Sequence, residues 1–373
     1  MAFVFWQNVA SRHQRDLLRA IAAASDDEVV CAVECDLPAD RASFGWGMED
    51  FAPVKLVRSD DRATFESLVA RTTDIHVMTG FLHHAVIRKA FRALARTNAK
   101  LLLQSESVDF QGSLGALRML RDRFKTVRFR KRVRGVFAIG AHAGRYFAAL
   151  GFRPSQIVPF GYFVPAVDAT FAAIPTGSTF RISFAGQMIR RKGIDILIAA
   201  LSRVADLDWR LEMTGSGREE TSLRAQATRL ALSERILWKG AVAPDQVPSE
   251  LAGADLLVLP SRWDGWGVVI NEALAAGVPV VCSDRCGATA VLEDRRIGET
   301  FPVGDVGALA AIVRRRIESG RVSETTRRSC RAAAATLTPE AGARQFLDGI
   351  AAVESDSPPP PAPWLHRLGP HRA

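Results

Sequence analysis

Two tyrosines, five cysteines and a scarcity of long apolar runs set the first limits on this sequence. No window of about 20 uninterrupted apolar residues occurs, so a helix spanning a membrane is not expected. The start, Met1-Ala2-Phe3-Val4-Phe5-Trp6-Gln7, has no basic lead and only a short apolar run, so no secretory leader is expected and a cytoplasmic location is. Cys31/Cys35 and Cys282/Cys286 share a three-residue gap, whereas structural zinc sites favour a two-residue gap and a fourfold ligand set. Buried reduced thiols and no metal are therefore expected. No internal repeat appears, and no nucleic-acid recognition motif accompanies the positive charge, so a nucleic-acid partner is not expected.

What is present suffices for two domains: 373 residues, 48% apolar, with a net charge of +9 whose excess lies mostly before residue 179. The run from Arg118 to Arg134 holds nine basic residues and one acid. Leu117, Leu120, Phe124 and Val127 recur there at helical spacing, which predicts a helix packing that face on the domain and presenting cations on the other. Such a face can lie against anionic lipid at roughly 1 kcal/mol per basic residue. A solvated helix of an arginine-rich protein is the open alternative.

Strand and helix signals alternate throughout, which predicts an α/β fold with parallel sheets. Strands are expected at 3–6, 28–33, 74–78, 101–103 and 136–139, then at 180–184, 209–213, 236–240, 255–259 and 278–282. The expected organisation is a first domain over 1–165, a linker over 166–179, a second domain over 180–338 and a helix over 339–353. Beyond Glu354 the run Ser355-Asp356-Ser357-Pro358-Pro359-Pro360-Pro361-Ala362-Pro363 predicts an extended, mobile tail through residue 373.

The chain is organised around Ser261-Arg262-Trp263-Asp264-Gly265-Trp266-Gly267-Val268-Val269-Ile270-Asn271-Glu272 and the helix formers after it, which stop at Gly277-Val278-Pro279. An apolar strand ends at Pro260, a glycine-containing loop follows, and a helix starts. In an open parallel sheet a ligand sits beyond the carboxyl ends of the strands, where a helix start offers N–H groups to an anion. Gly265 and Gly267 allow close backbone approach. Asp264 and Glu272 place two carboxylates where one ligand could be gripped at two depths.

With Pro260-Ser261 ahead and Gly277-Val278-Pro279 behind, this stretch resembles the acidic-x7-acidic motif of retaining family 4 glycosyltransferases. The resemblance implies the GT-B arrangement, two Rossmann-like domains facing a central cleft. It also implies that Asp264 contacts the donor sugar, that the backbone of Trp266, Gly267 and Val268 holds the diphosphate, and that Glu272 takes the ribose hydroxyls. The usual first acid is Glu; here it is Asp264. Gly186-Gln187-Met188-Ile189-Arg190-Arg191-Lys192-Gly193 resembles the family's Gly-Arg-…-Lys-Gly element. Lys192 matches its diphosphate-holding lysine, Gln187 stands at the arginine position, and Arg190 or Arg191 is expected to supply that charge. The loop at Gly215 and the segment containing Lys239 resemble nucleotide-binding stretches, the second through its backbone. Ser11-Arg12-His13-Gln14 resembles the Ser-x-His-Gln of polysaccharide-assembly members, which points His13 at the acceptor or the leaving phosphate.

The implied function is transfer, with retention, of a sugar from a UDP- or GDP-sugar to a hydroxyl, in cell-surface polysaccharide synthesis on a lipid-linked saccharide, without metal or further cofactor. A nucleotide-sugar epimerase and a non-catalytic nucleotide-sugar-binding protein are the alternatives.

Overall fold

A computed structural model describes residues 1–35, 50–80, 84–110, 112–166 and 177–367. The chain divides into two compact units, Met1–Pro165 with Leu337–Ala373, and Ala166–Thr336. Most of the expected linker, residues 167–176, lies outside the described residues, as does the end of the tail from 368.

The first unit holds β1 (Ala2–Gln7), β2 (Glu28–Val33), β3 (Lys55–Arg58), β4 (Ile75–Thr79), β5 (Lys100–Glu106), β6 (Val133–Ile139) and β7 (Ile157–Phe160), in the spatial order β3-β2-β1-β4-β5-β6-β7. Every pairing is parallel. Strands buried on both faces read as continuous apolar runs, and Ala2-Phe3-Val4-Phe5-Trp6 is fully buried. Val4, Trp6, Met78, Leu101 and Leu103 share one core with Phe65 and Leu68 of α2 (Arg62–Val69), Ile87, Phe91 and Leu94 of α3 (Ala85–Leu94), and Tyr146 and Phe147 of α5 (Ala143–Ala149). The opposite face is covered by α1 (Arg12–Ala24), whose buried stripe is Gln14, Leu17, Leu18 and Ile21, and by the helix that returns from the end of the chain. That helix, Pro339–Glu354, sets Phe346 against Phe3, Phe5 and Phe137 with ring centroids 5.5, 5.3 and 4.8 Å apart.

Three expectations for this unit are corrected. The basic run is not one helix: α4 (Gly112–Thr126) ends before it is finished, and the rest is a turn, one 3-10 turn at Arg130–Arg132 and the start of β6. Moreover, α4 lies with its apolar face outward. Its buried positions are Gly115, Asp122 and Thr126, with Met119 half-buried. Asp122 accepts from the Tyr146 hydroxyl at 2.9 Å, and Gly115 comes so close to the Phe110 backbone that a Cβ would sit 2.1 Å from its carbonyl carbon. That anchoring turns Leu114, Leu117, Leu120 and Phe124 to solvent, 68, 63, 52 and 71% exposed. The expected mobile tail is also overturned over its described part. Ala362 and Trp364 are buried, residues Pro363–Arg367 form a 3-10 helix, and Gln345 Nε2 donates to Pro159 O and Pro360 O at 3.0 and 3.4 Å. Proline-rich backbone here serves as packed, extended chain. Among the cysteines, none of which forms a disulfide, Cys31, Cys282, Cys286 and Cys330 are buried, but Cys35 is exposed.

The second unit contains β8 (Phe180–Ala185), β9 (Trp209–Thr214), β10 (Ile236–Gly240), β11 (Leu256–Leu259), β12 (Val280–Ser283) and β13 (Gly298–Phe301), ordered β10-β9-β8-β11-β12-β13 and again all parallel. Its helices are α6 (Ile194–Ser202), α7 (Glu220–Arg229), α8 (Val247–Leu251), α9 (Val269–Ala275), α10 (Val306–Glu318) and α11 (Glu324–Ala334), so the returning helix Pro339–Glu354 is α12. Gly277, at φ +77°, stops α9 in the left-handed conformation that glycine adopts most readily. Fully buried Asp255 is satisfied by Arg321 at 2.5 Å, by Arg327 at 3.4 Å and by the Arg181 and Val322 amides. Arg327 also donates to Gly277 O at 3.5 Å, tying the end of α9 to α11.

Candidate functional site

In the second unit β8 lies between β9 and β11, so the chain winds one way from β8 to β10 and the other way from β11 to β13. The loops leaving β8 and β11 therefore diverge at their carboxyl ends, the place where open α/β sheets take ligands.

The two loops are stitched together. After Gly186, Arg190–Lys192 make one 3-10 turn that ends at Gly193 with φ +66°. A Cβ on Gly193 would stand 2.1 Å from Pro260 O, so this contact needs glycine. The Arg262 amide donates to Arg191 O at 2.8 Å, Arg262 Nη1 to Arg190 O at 2.9 Å, and Arg191 Nη1 to Trp263 O at 2.9 Å. Arg262 also makes a two-pronged pair with Asp195, both bonds 2.7 Å. That hydrogen-bonded guanidinium holds the Asp195 carboxyl below the usual range against the opposing effect of burial.

On this frame Lys192 Nζ donates to Asp264 Oδ2 at 2.6 Å, and Arg191 lies 3.6 Å from the other oxygen. The Asp264 loop is held from behind: its amide donates to Arg285 O and its carbonyl accepts from the Gly287 amide. A Cβ on Gly287 would lie 1.8 Å from Gly265 O. Gly267, at φ +93°, borders the same carboxylate, since a Cβ there would come within 3.9 Å of Asp264 Cγ. Gly186 borders Lys192 in the same way at 3.8 Å, and Gly215 touches Gly186 so closely that its Cβ would meet Gly186 O at 2.0 Å. Gly186, Lys192, Gly215, Asp264 and Gly267 thus form one contiguous cluster. Val268 caps α9, Glu272 is half-buried in that helix, Gln187 is half-buried, and Arg190 and Arg191 are exposed.

Other candidates have different surroundings. The Trp266 side chain is buried and donates to Asn271 Oδ1 at 2.8 Å, so it serves the core and only its backbone is available to a ligand. Lys239 is engaged by Glu212 at 2.6 Å and Glu250 at 2.7 Å; burial works against its charge, but these two carboxylates prevail and raise its pKa. His13 belongs to the first unit, in the first turn of α1, with its ring 6.1 Å from that of Tyr162. Arg262 and Asp195 escaped the sequence reading because their pairing spans 67 residues and leaves no local pattern. Among the described residues, no three or more His, Cys, Asp or Glu side chains gather as a metal ion requires.

The family described as glycosyl transferases group 1 matches residues 172–336. The phosphatidyl-myo-inositol mannosyltransferase of Mycobacterium leprae is 38% identical over 123 residues, 32% of this chain and 32% of its own. A GDP-mannose-dependent alpha-(1-6)-phosphatidylinositol monomannoside mannosyltransferase of Mycolicibacterium smegmatis is 30% identical over 34% of this chain and 36% of its own. The chain thus spans about a third of the length of these curated relatives. Among solved structures, Anabaena HepE in complex with UDP superposes with a TM-score of 0.72 at 19% identity, covering 94% of this chain and 100% of that one, which shows the fold. The family's match is confined to residues 172–336, less than half of the chain, so the second unit resembles the glycosyl transferases group 1, while the two-unit fold is that of the solved structure.

Proposed function

We propose that this chain transfers a sugar, with retention, from a nucleoside diphosphate sugar to the hydroxyl of a saccharide or lipid-linked saccharide acceptor. The observation that carries this reading is the Lys192–Asp264 pair at the divergence of the β8 and β11 loops. Lys192, with Arg190 and Arg191 beside it, would neutralise the charge building on the departing diphosphate, aided by the amides of Gly267 and Val268. Asp264 would orient the donor sugar, and Glu272 would hold the ribose. With these cations supplied by the chain, the step needs neither metal nor cofactor. No carboxylate nucleophile is assigned, which suits a front-face departure and attack on one side of the sugar. The relatives' names put GDP-mannose first among donors to try, and the UDP complex puts UDP-sugars second.

The outward face of α4 supports attachment to an anionic membrane. Leu114, Leu117, Leu120 and Phe124 stand exposed among Arg118, Arg121, Arg123 and Lys125. Burying one such apolar side chain is worth about 1.5–3 kcal/mol, more than the roughly 1 kcal/mol per cation that charge alone supplies. No helix among the described residues is long and apolar enough to cross a membrane. The chain would therefore sit as a peripheral protein on the cytoplasmic leaflet, where lipid-linked acceptors and anionic lipid meet it.

The test is a panel of labelled nucleotide sugars, beginning with GDP-mannose, incubated with the purified chain and extracted lipid-linked saccharides. Nucleotide release that depends on acceptor, with an α-linked product from an α-linked donor, is the expected result. Isomerisation of the sugar without acceptor, or saturable binding without turnover, would replace this reading with an epimerase or a binding protein.

A further inference from the structure

The β11–β12 ladder stops one step short of Ser261 and the Asp264 loop. Leu257, Val258 and Leu259 pair with Val280, Val281 and Cys282, and the next step would set Pro260 beside Ser283. Proline has no N–H to give, so a backbone rung cannot form there. A side chain takes its place. Ser283 Oγ donates to Ser261 O at 2.5 Å and accepts from the Arg285 amide at 3.2 Å. With the one hydroxyl proton committed to Ser261 O, the direction of both bonds is fixed. Ser261 and Ser283 are both 0% exposed, so bulk water offers no substitute partner.

Asp264 lies between the two segments that this hydroxyl joins. From the β11 loop, Ser261 Oγ reaches Asp264 Oδ2 at 3.5 Å. From the β12 loop, Arg285 O receives the Asp264 amide at 3.1 Å, the Gly287 amide donates to Asp264 O at 2.9 Å, and the Ala288 amide donates to Trp266 O at 2.9 Å. Cys286 forms a β-bridge with Asp264, and its Sγ lies 3.8 Å from Leu259 O and 3.7 Å from Ser283 Oγ. Lys192 and Arg191 hold the carboxylate oxygens, whereas Ser283 fixes the backbone that carries them.

We propose that Ser283 is a positioning residue of the transfer reaction: its hydroxyl, bridging Ser261 O and the Arg285 amide, sets the angle at which Asp264 meets the donor sugar. This rests on the transferase reading, in which Asp264 receives the sugar while Lys192 and the amides of Gly267 and Val268 receive the diphosphate. The nucleotide half of the donor then has contacts that do not pass through Ser283. Loss of the hydroxyl should therefore separate the two halves. A misplacement of about 1 Å at a reacting group can cost about 10²-fold in rate.

Full-length Ser283→Ala and Ser283→Thr are compared with the wild type well below their melting temperatures. Calorimetry reads the binding of GDP and UDP. Nucleotide release, with extracted lipid-linked saccharides present, reads turnover of the nucleotide sugar that the panel selects, GDP-mannose being tried first. Ser283→Ala should bind GDP and UDP no more weakly than the wild type and keep its donor KM within about twofold, while kcat falls about tenfold or more. Ser283→Thr, which keeps the hydroxyl, should turn over faster than Ser283→Ala. In an Asp264→Asn background the alanine change should add little, because it acts through that carboxylate. Wild-type kcat in Ser283→Ala, a loss shared equally by nucleotide binding, or a full further loss in the Asp264→Asn background would overturn the proposal. Absence of turnover in the wild type with every nucleotide sugar would instead bring down the transferase reading, and this inference with it.

Discussion

Lys192 and Asp264 are joined by a 2.6 Å hydrogen bond, with side chains only 13 and 12% exposed. The lysine proposed to receive the diphosphate is therefore already neutralised by the carboxylate proposed to receive the sugar, and an incoming donor must compete with it. Asp264→Asn should release Lys192, so binding of GDP or UDP alone should tighten several-fold while turnover falls by about 10²-fold or more. Lys192→Ala should lower both. Calorimetric titration with the nucleotide and a nucleotide-release assay read the two effects, and parallel losses in Asp264→Asn would show that the pair does not compete with the donor.

Arg262 positions this pair without belonging to it. Arg262→Ala removes the bonds to Asp195 and to Arg190 O, and should cost about 1.5–3 kcal/mol of stability in urea unfolding. Asp195→Asn should cost less, and the double variant should fall short of the sum because both changes break one interaction. Additive losses would show that the two side chains act independently.

Buried His76 makes the first unit sensitive to acid. Trp6 Nε1 donates to His76 Nδ1 at 3.1 Å, so the proton of the neutral ring sits on Nε2 and faces Arg71 O at 2.9 Å. Burial holds the imidazole below its ordinary value of 6.5. The unfolded chain then takes up a proton at a higher pH than the folded one. The stability due to the neutral ring is complete above pH 6.5 and is lost as pH falls from there through the folded-state value, with a slope of at most about 1.4 kcal/mol per pH unit. Melting curves between pH 7.5 and 4.5 should show this slope reduced in His76→Gln relative to wild type.

The outward face of α4 gives a test that separates membrane contact from packing. Replacing Leu117, Leu120 and Phe124 by Ser should abolish binding to vesicles containing phosphatidylglycerol yet change stability by no more than about 0.5 kcal/mol per site, as for surface positions. Side chains packed on the domain would instead lose about 2–5 kcal/mol each. Charge-only attachment predicts that the serine variant still binds and that salt releases the wild type completely.

How much of this was legible in the sequence depended on whether the signal was local. Phe3-Val4-Phe5-Trp6 and Leu256–Leu259 announce buried strands because both faces are apolar, and Gly277 announces the end of α9 through its backbone alone. The short strand Lys55–Arg58 at the sheet edge and helix Arg62–Val69 went unread, since a partly exposed edge strand has no continuous apolar run. Helical periodicity found a stripe in α4 but not its direction. The choice was made by Asp122 meeting Tyr146 across 24 residues, which no spacing rule encodes. The same holds for the site: Lys192 and Asp264 each carry a local motif, whereas Arg262 meets Asp195 across 67 residues, once the segments after β8 and β11 are brought together.

The return of α12 to the first unit dictates a timetable for synthesis. Residues 166–336 form an uninterrupted unit and can finish folding while translation continues. The first unit cannot, because Phe346, the cover for Phe3, Phe5 and Phe137, is made only after the whole of the second unit. Of the two units, the one begun earlier is completed later, and until then a greasy sheet face is left open to chaperones.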